Sequence, residues 1–74
     1  MTPKQAMENL LAQGLTKYRI AKELKIQAIM VDNYLTEKTM QMKESTANRL
    51  LDAFDIEIEE NSIFYNYDNL KQNI

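Results

Sequence analysis

Seven basic side chains fall between residues 16 and 49: Lys17, Arg19, Lys22, Lys25, Lys38, Lys43 and Arg49. Only four acids share that stretch, Glu23, Asp32, Glu37 and Glu44. Residues 50–74 reverse the balance, with Lys71 alone against Asp52, Asp55, Glu57, Glu59, Glu60 and Asp68. The overall charge of −2 therefore hides two halves of opposite sign. Lysines and arginines gathered in one region can neutralise phosphate, and an acidic region would be turned away from it.

Other chemistry is scarce. With no His and no Cys, Ser–His and Cys–His nucleophilic pairs cannot form. Acid–base work near neutral pH would fall to a retuned carboxylate or lysine. The single glycine, Gly14, cannot build a phosphate-cradling loop. No set of carboxylates has metal-loop spacing, and the adjacent Glu59 and Glu60 read as solvated surface. The expectation is a binding protein without metal or cofactor.

The elements that must position these charges follow from apolar spacing. Thr2 suits a helix cap, Pro3 the first helical position, and Gln5 completes a capping box. Ala6, Met7, Leu10 and Leu11 form one stripe and Gly14 suits the residue after the helix end, which predicts a helix over 3–13. Thr16 caps a second helix carrying Ile20, Ala21 and Leu24 inward and Lys17, Arg19 and Lys22 outward. A third helix is expected from about Gln27 to Glu37, burying Val31, Tyr34 and Leu35. A polar connection follows, with Met40 and Met42 tucked against the core. "ESTANRLLDAF" is a fourth helix, with Ala47, Leu50, Leu51 and Phe54 in register.

The end of the chain has a different pattern. Ile56 and Ile58 alternate with acids, "EEN" interrupts, and Ile63, Phe64, Tyr65 and Tyr67 follow. This predicts a C-terminal β-hairpin. A fifth helix from about Ser62 is the alternative, since Ile63, Tyr67 and Leu70 also fit helical spacing. At 74 residues the chain makes one domain, divided here into a core over 1–58 and an acidic, aromatic tail over 59–74. No stretch approaches the ~20 apolar residues of a membrane span, and no signal peptide begins the chain. A soluble, cytoplasmic protein is expected. A core of this size supplies only roughly 3–5 kcal/mol, which makes a partner chain an expected source of support.

Counted from Lys17, the apolar residues Ile20, Leu24, Ile26, Val31 and Tyr34 fall at positions 4, 8, 10, 15 and 18. The small Ala21 stands at position 5, where two helices must cross closely. This segment, with "STANRLLDAFDIEI" after it, resembles the helix-turn-helix family of Cro and lambda-repressor-like bacterial and phage regulators. The resemblance covers about residues 3–58. It implies a mainly α, four-helix, lambda-repressor-like domain. One departure lies at position 9, where the family carries a left-handed Gly and this chain has Lys25.

The resemblance further implies that the third helix enters the major groove of double-stranded DNA. Gln27, Ala28, Ile29, Asp32 and Asn33 then face base edges, with Thr36 at the far end. Gln27 and Asn33 can pair with adenine, and Ala28 and Ile29 can meet thymine methyls. Asp32 would accept from a cytosine amino group or pair with a basic residue of the protein. Thr16, Lys17 and Arg19 before that helix, and Lys38 and Lys43 after it, would hold phosphates. Ile63, Phe64 and Tyr65 are the expected contact of a homodimer. The expected function is operator binding in transcription regulation. A phage-type antirepressor or inhibitor that binds a protein through the same fold is the alternative, suggested by Asp32, the acidic tail and the apolar Ile29–Met30 pair.

Overall fold

A computed structural model describes residues 1–65. Among them are four α-helices, α1 (Pro3–Ala12), α2 (Lys17–Leu24), α3 (Ala28–Leu35) and α4 (Glu44–Phe54). Two short strands, β1 (Met42–Lys43) and β2 (Ile63–Phe64), complete the order, with a single 3-10 turn at Glu60–Ser62 before β2.

The first two helices begin where a side chain satisfies an orphan amide, whereas Gln27 before α3 and Lys43 before α4 make no such bond. The Thr2 hydroxyl accepts from the Gln5 amide at 3.2 Å, and the Gln5 side chain accepts from the Thr2 amide at 3.0 Å. Thr16 does the same for α2, accepting from the Arg19 amide at 3.2 Å. Beyond the end of the first helix the chain turns at Gly14, whose φ of 96° favours glycine although the space beside it is open.

The turn between α2 and α3 is tighter. Lys25 lies in the left-handed region at φ 56° and ψ 44°. The Ile26 amide reaches back to the Ala21 carbonyl at 3.0 Å and closes the helix end. Arg49 of α4 donates to the Leu24 carbonyl at 3.5 Å, which places a positive charge at the negative end of α2. A side chain on a left-handed residue costs about 1 kcal/mol. Lys25→Gly is therefore expected to raise stability by about that amount, or roughly 4–8 °C in Tm. Thermal unfolding followed by circular dichroism checks it; a lower Tm would show that the lysine stem contributes more than its backbone costs.

The inward stripes meet in one core. Met7, Leu10, Ile20, Leu24, Val31, Met42 and Leu50 are fully buried, with Ala21 and Ala47 among them. The third helix packs on both α1 and α2, and α4 packs on α2. No helix among the described residues is long and apolar enough to cross a membrane.

Four expectations need correction. There is no hairpin between the Ile56–Ile58 segment and residues 63–65. Ile56 and Ile58 are buried, but the backbone of Glu57 and Glu59 beside them bonds to the chain start. The Glu59 amide donates to the Met1 carbonyl at 2.8 Å and the Met1 amino group to the Glu57 carbonyl at 3.1 Å. Ile63 and Phe64 instead run parallel to Met42 and Lys43, in that register, with α4 in the crossover. A helix from Ser62 is likewise absent, because the 3-10 turn stops there and Ile63 is extended. The notion's other members, Tyr67 and Leu70, lie outside the described residues.

Met40 and Leu51 complete the corrections. Met42 is buried, but Met40 is 64% exposed, since β1 begins two residues later and leaves it on the connection. Leu51 is 45% exposed because Ala47, Leu50 and Thr46 already fill the buried side of α4.

Candidate nucleic-acid interface

The outward face of α3 is set by what its inward face must cover. Val31 and Tyr34 are buried, and Leu35 and Met30 pack at the margin of the core. Helical spacing then groups Ile29, Asp32, Asn33 and Thr36 together on the other side. Ile29 is 56% exposed, a high value for an isoleucine. Ala28 flanks this face one turn before Asp32. Gln27 stands apart: it is the residue before α3, exposed, and on the Met30 side of the helix.

The side chains on this face have few partners. The only hydrogen bond of the Asn33 side chain among the described residues goes to the Met30 sulfur at 3.7 Å. Thr36 donates its hydroxyl to the Asp32 carbonyl at 2.9 Å, so its oxygen can still accept. Asp32 is held by Lys17, Nζ to Oδ2 at 3.2 Å, with both side chains about two-fifths exposed.

Basic residues lie on both sides of α3. Lys17 opens α2, with its ammonium 5.7 Å from the centroid of the Tyr18 ring. Arg19 is exposed and bonded to Glu23 at 3.1 Å, one turn on along the same helix. Thr16 spends its hydroxyl oxygen on the α2 cap. On the far side Lys38 and Lys43 are exposed and have no ion pair among the described residues. With Lys25 they rim a groove of about 840 Å³ whose walls include Met30, Met40 and Phe64. Tyr34 closes the groove floor, and burial pushes its phenol above the ordinary value of 10.0.

The expected residues are thus brought together in part. Ile29, exposed, and Asp32 and Asn33, half-buried, share the outward face, Lys17 touches it, and Lys38 and Lys43 rim the groove on the Met30 side of α3. Arg19 is engaged along its own helix. Arg49, one of the seven bases, is turned to the α2 end rather than outward. The expected dimer residues divide: Phe64 is 52% exposed, whereas Ile63 and Tyr65 are half-buried. Two exposed side chains were missed by spacing. Tyr18, 69% exposed beside Lys17, had a signal, because it stands off the Ile20–Leu24 stripe. Met40 had none.

Comparison with family models, curated proteins and solved structures found no match to this chain.

Proposed function

We propose that the protein is a sequence-specific DNA-binding regulator of transcription, of helix-turn-helix type, that occupies operator DNA through α3. It acts in the cytoplasm as a homodimer, with Phe64 as the exposed apolar member of the dimer contact. Two copies would then read half-sites about one helical turn apart. The observation that carries this reading is the exposed α3 face with bases on either side. Asn33 offers donor and acceptor to adenine, and Ile29 offers methyl groups to thymine. Lys38 and Lys43 on one side supply phosphate contacts that α3, which has no base of its own, lacks, and Lys17 on the other adds one where it leaves Asp32.

Titration of a random-sequence duplex at two salt concentrations tests the proposal. Weak binding that falls steeply with salt is expected, because phosphate contacts release counterions. Salt-independent or absent binding would overturn it. Lys38→Ala should weaken binding to every sequence alike and reduce the log–log salt slope by about 0.9. An unchanged slope would remove Lys38 from the phosphate face.

A second reading has its own support. Met30, Met40 and Phe64 make an apolar wall beside the same helix, and Ile29 is exposed on it. Such a surface suits a protein partner, as in an antirepressor or inhibitor. Its mark would be tight binding to a protein with no binding to duplex DNA at low salt.

A further inference from the structure

The Lys17–Asp32 pair joins two residues that would face DNA in opposite ways. Lys17 is the base nearest the α3 reading face, and Asp32 stands on that face. On DNA, Lys17 would be drawn to a phosphate and Asp32 repelled by the groove's negative potential. While they remain paired, one phosphate contact is forfeited. When they part, a carboxylate is left in the groove without its counter-charge. Among base edges in the major groove, the amino group of cytosine can donate to it. An adenine amino group can donate as well, but its neighbouring N7 acceptor repels the second carboxylate oxygen.

We infer that Asp32, held by Lys17, is a specificity-determining residue that suppresses binding to non-cognate DNA and demands cytosine at one operator position. The inference rests on the DNA-binding reading and adds to it a cost for wrong sequences. Specificity achieved through a penalty needs no increase in cognate affinity. The groups facing the pair are few. The Tyr18 ring lies over Lys17, Thr36 bonds the Asp32 backbone rather than its carboxylate, and Arg19 is turned to Glu23. Among the described residues no other base lies within ion-pair distance of Asp32.

Asp32→Asn keeps the shape and removes the charge. An exposed pair of this kind contributes little to folding, so the variant is expected to fold, as its circular dichroism would show. Titrated with random-sequence duplex at about 50 and 200 mM salt, it should bind about tenfold tighter than wild type at the lower salt. Its log–log salt slope should steepen by about 0.9, as the freed Lys17 reaches a phosphate. Adding Lys17→Ala to Asp32→Asn should return the slope to the wild-type value. Selection from a random pool should yield cytosine at one position per half-site for wild type and lose that preference for Asp32→Asn. If wild type binds random DNA but Asp32→Asn binds no tighter and with the same slope, the inference fails while the DNA-binding reading stands. If neither protein binds duplex DNA at low salt, both fall.

Discussion

Leu50→Ala is expected to remove about 2–5 kcal/mol of stability, enough to leave much of the chain unfolded at room temperature. Leu50 is fully buried on the inward side of α4, together with Thr46 and Ala47. Its loss would cost the transfer free energy of the side chain and leave a cavity that neighbouring rigid helices fill only in part. The scale of the damage comes from the size of the molecule. A domain of 74 residues typically holds about 4–11 kcal/mol in all, at roughly 0.05–0.15 kcal/mol per residue. Urea unfolding followed by circular dichroism gives the difference directly. Leu51→Ala is the internal control: the same deletion one residue on, at a site 45% exposed, should cost far less. Equal losses at the two positions would contradict the packing of α4.

That contrast shows how far the fold was legible in the sequence. Both leucines fit helical spacing, so periodicity placed them together; only the position of α4 on α2 decides which one the core covers. The helix starts were readable because caps act locally. Thr2, Gln5 and Thr16 satisfy amides within three residues, and no distant partner can change that. The Lys25 turn had no such local signal, lysine being a good helix former, and was expected only from the resemblance. The C-terminal pairing was not legible either. Alternation at Ile56 and Ile58 states which side chains go inward but is silent on which backbone lies alongside. Met1 occupies one edge there, and the two-residue β1 is too short to leave a pattern. At the candidate site, spacing grouped Ile29, Asp32 and Asn33 but could not show that Lys17 reaches Asp32, because fifteen residues and a turn separate them.

The sharpest expected effect on binding is at Asn33. Asn33→Ala should lower affinity for the selected operator by about 1–3 kcal/mol, the discrimination a paired contact to adenine supplies. Asn33 lies at the middle of the outward face, one turn after Ile29 and adjacent to Asp32. Its side-chain amide gives up only a long bond to the Met30 sulfur when it turns to a base. A thioether is a weak acceptor, so little is lost in the exchange. The substitution removes no buried group and favours the helix slightly, alanine being the better helix former. Stability should therefore hold while binding falls. Non-specific affinity should also hold, because no phosphate contact is touched, and the salt slope should match wild type. Competition of the selected operator against the same site altered at one base pair reads the effect. Wild type should discriminate between them, and Asn33→Ala should bind both alike. A variant that loses affinity equally for operator and random duplex would place Asn33 outside the reading set. A variant that binds the operator as wild type does would move the adenine contact to Gln27 at the head of α3.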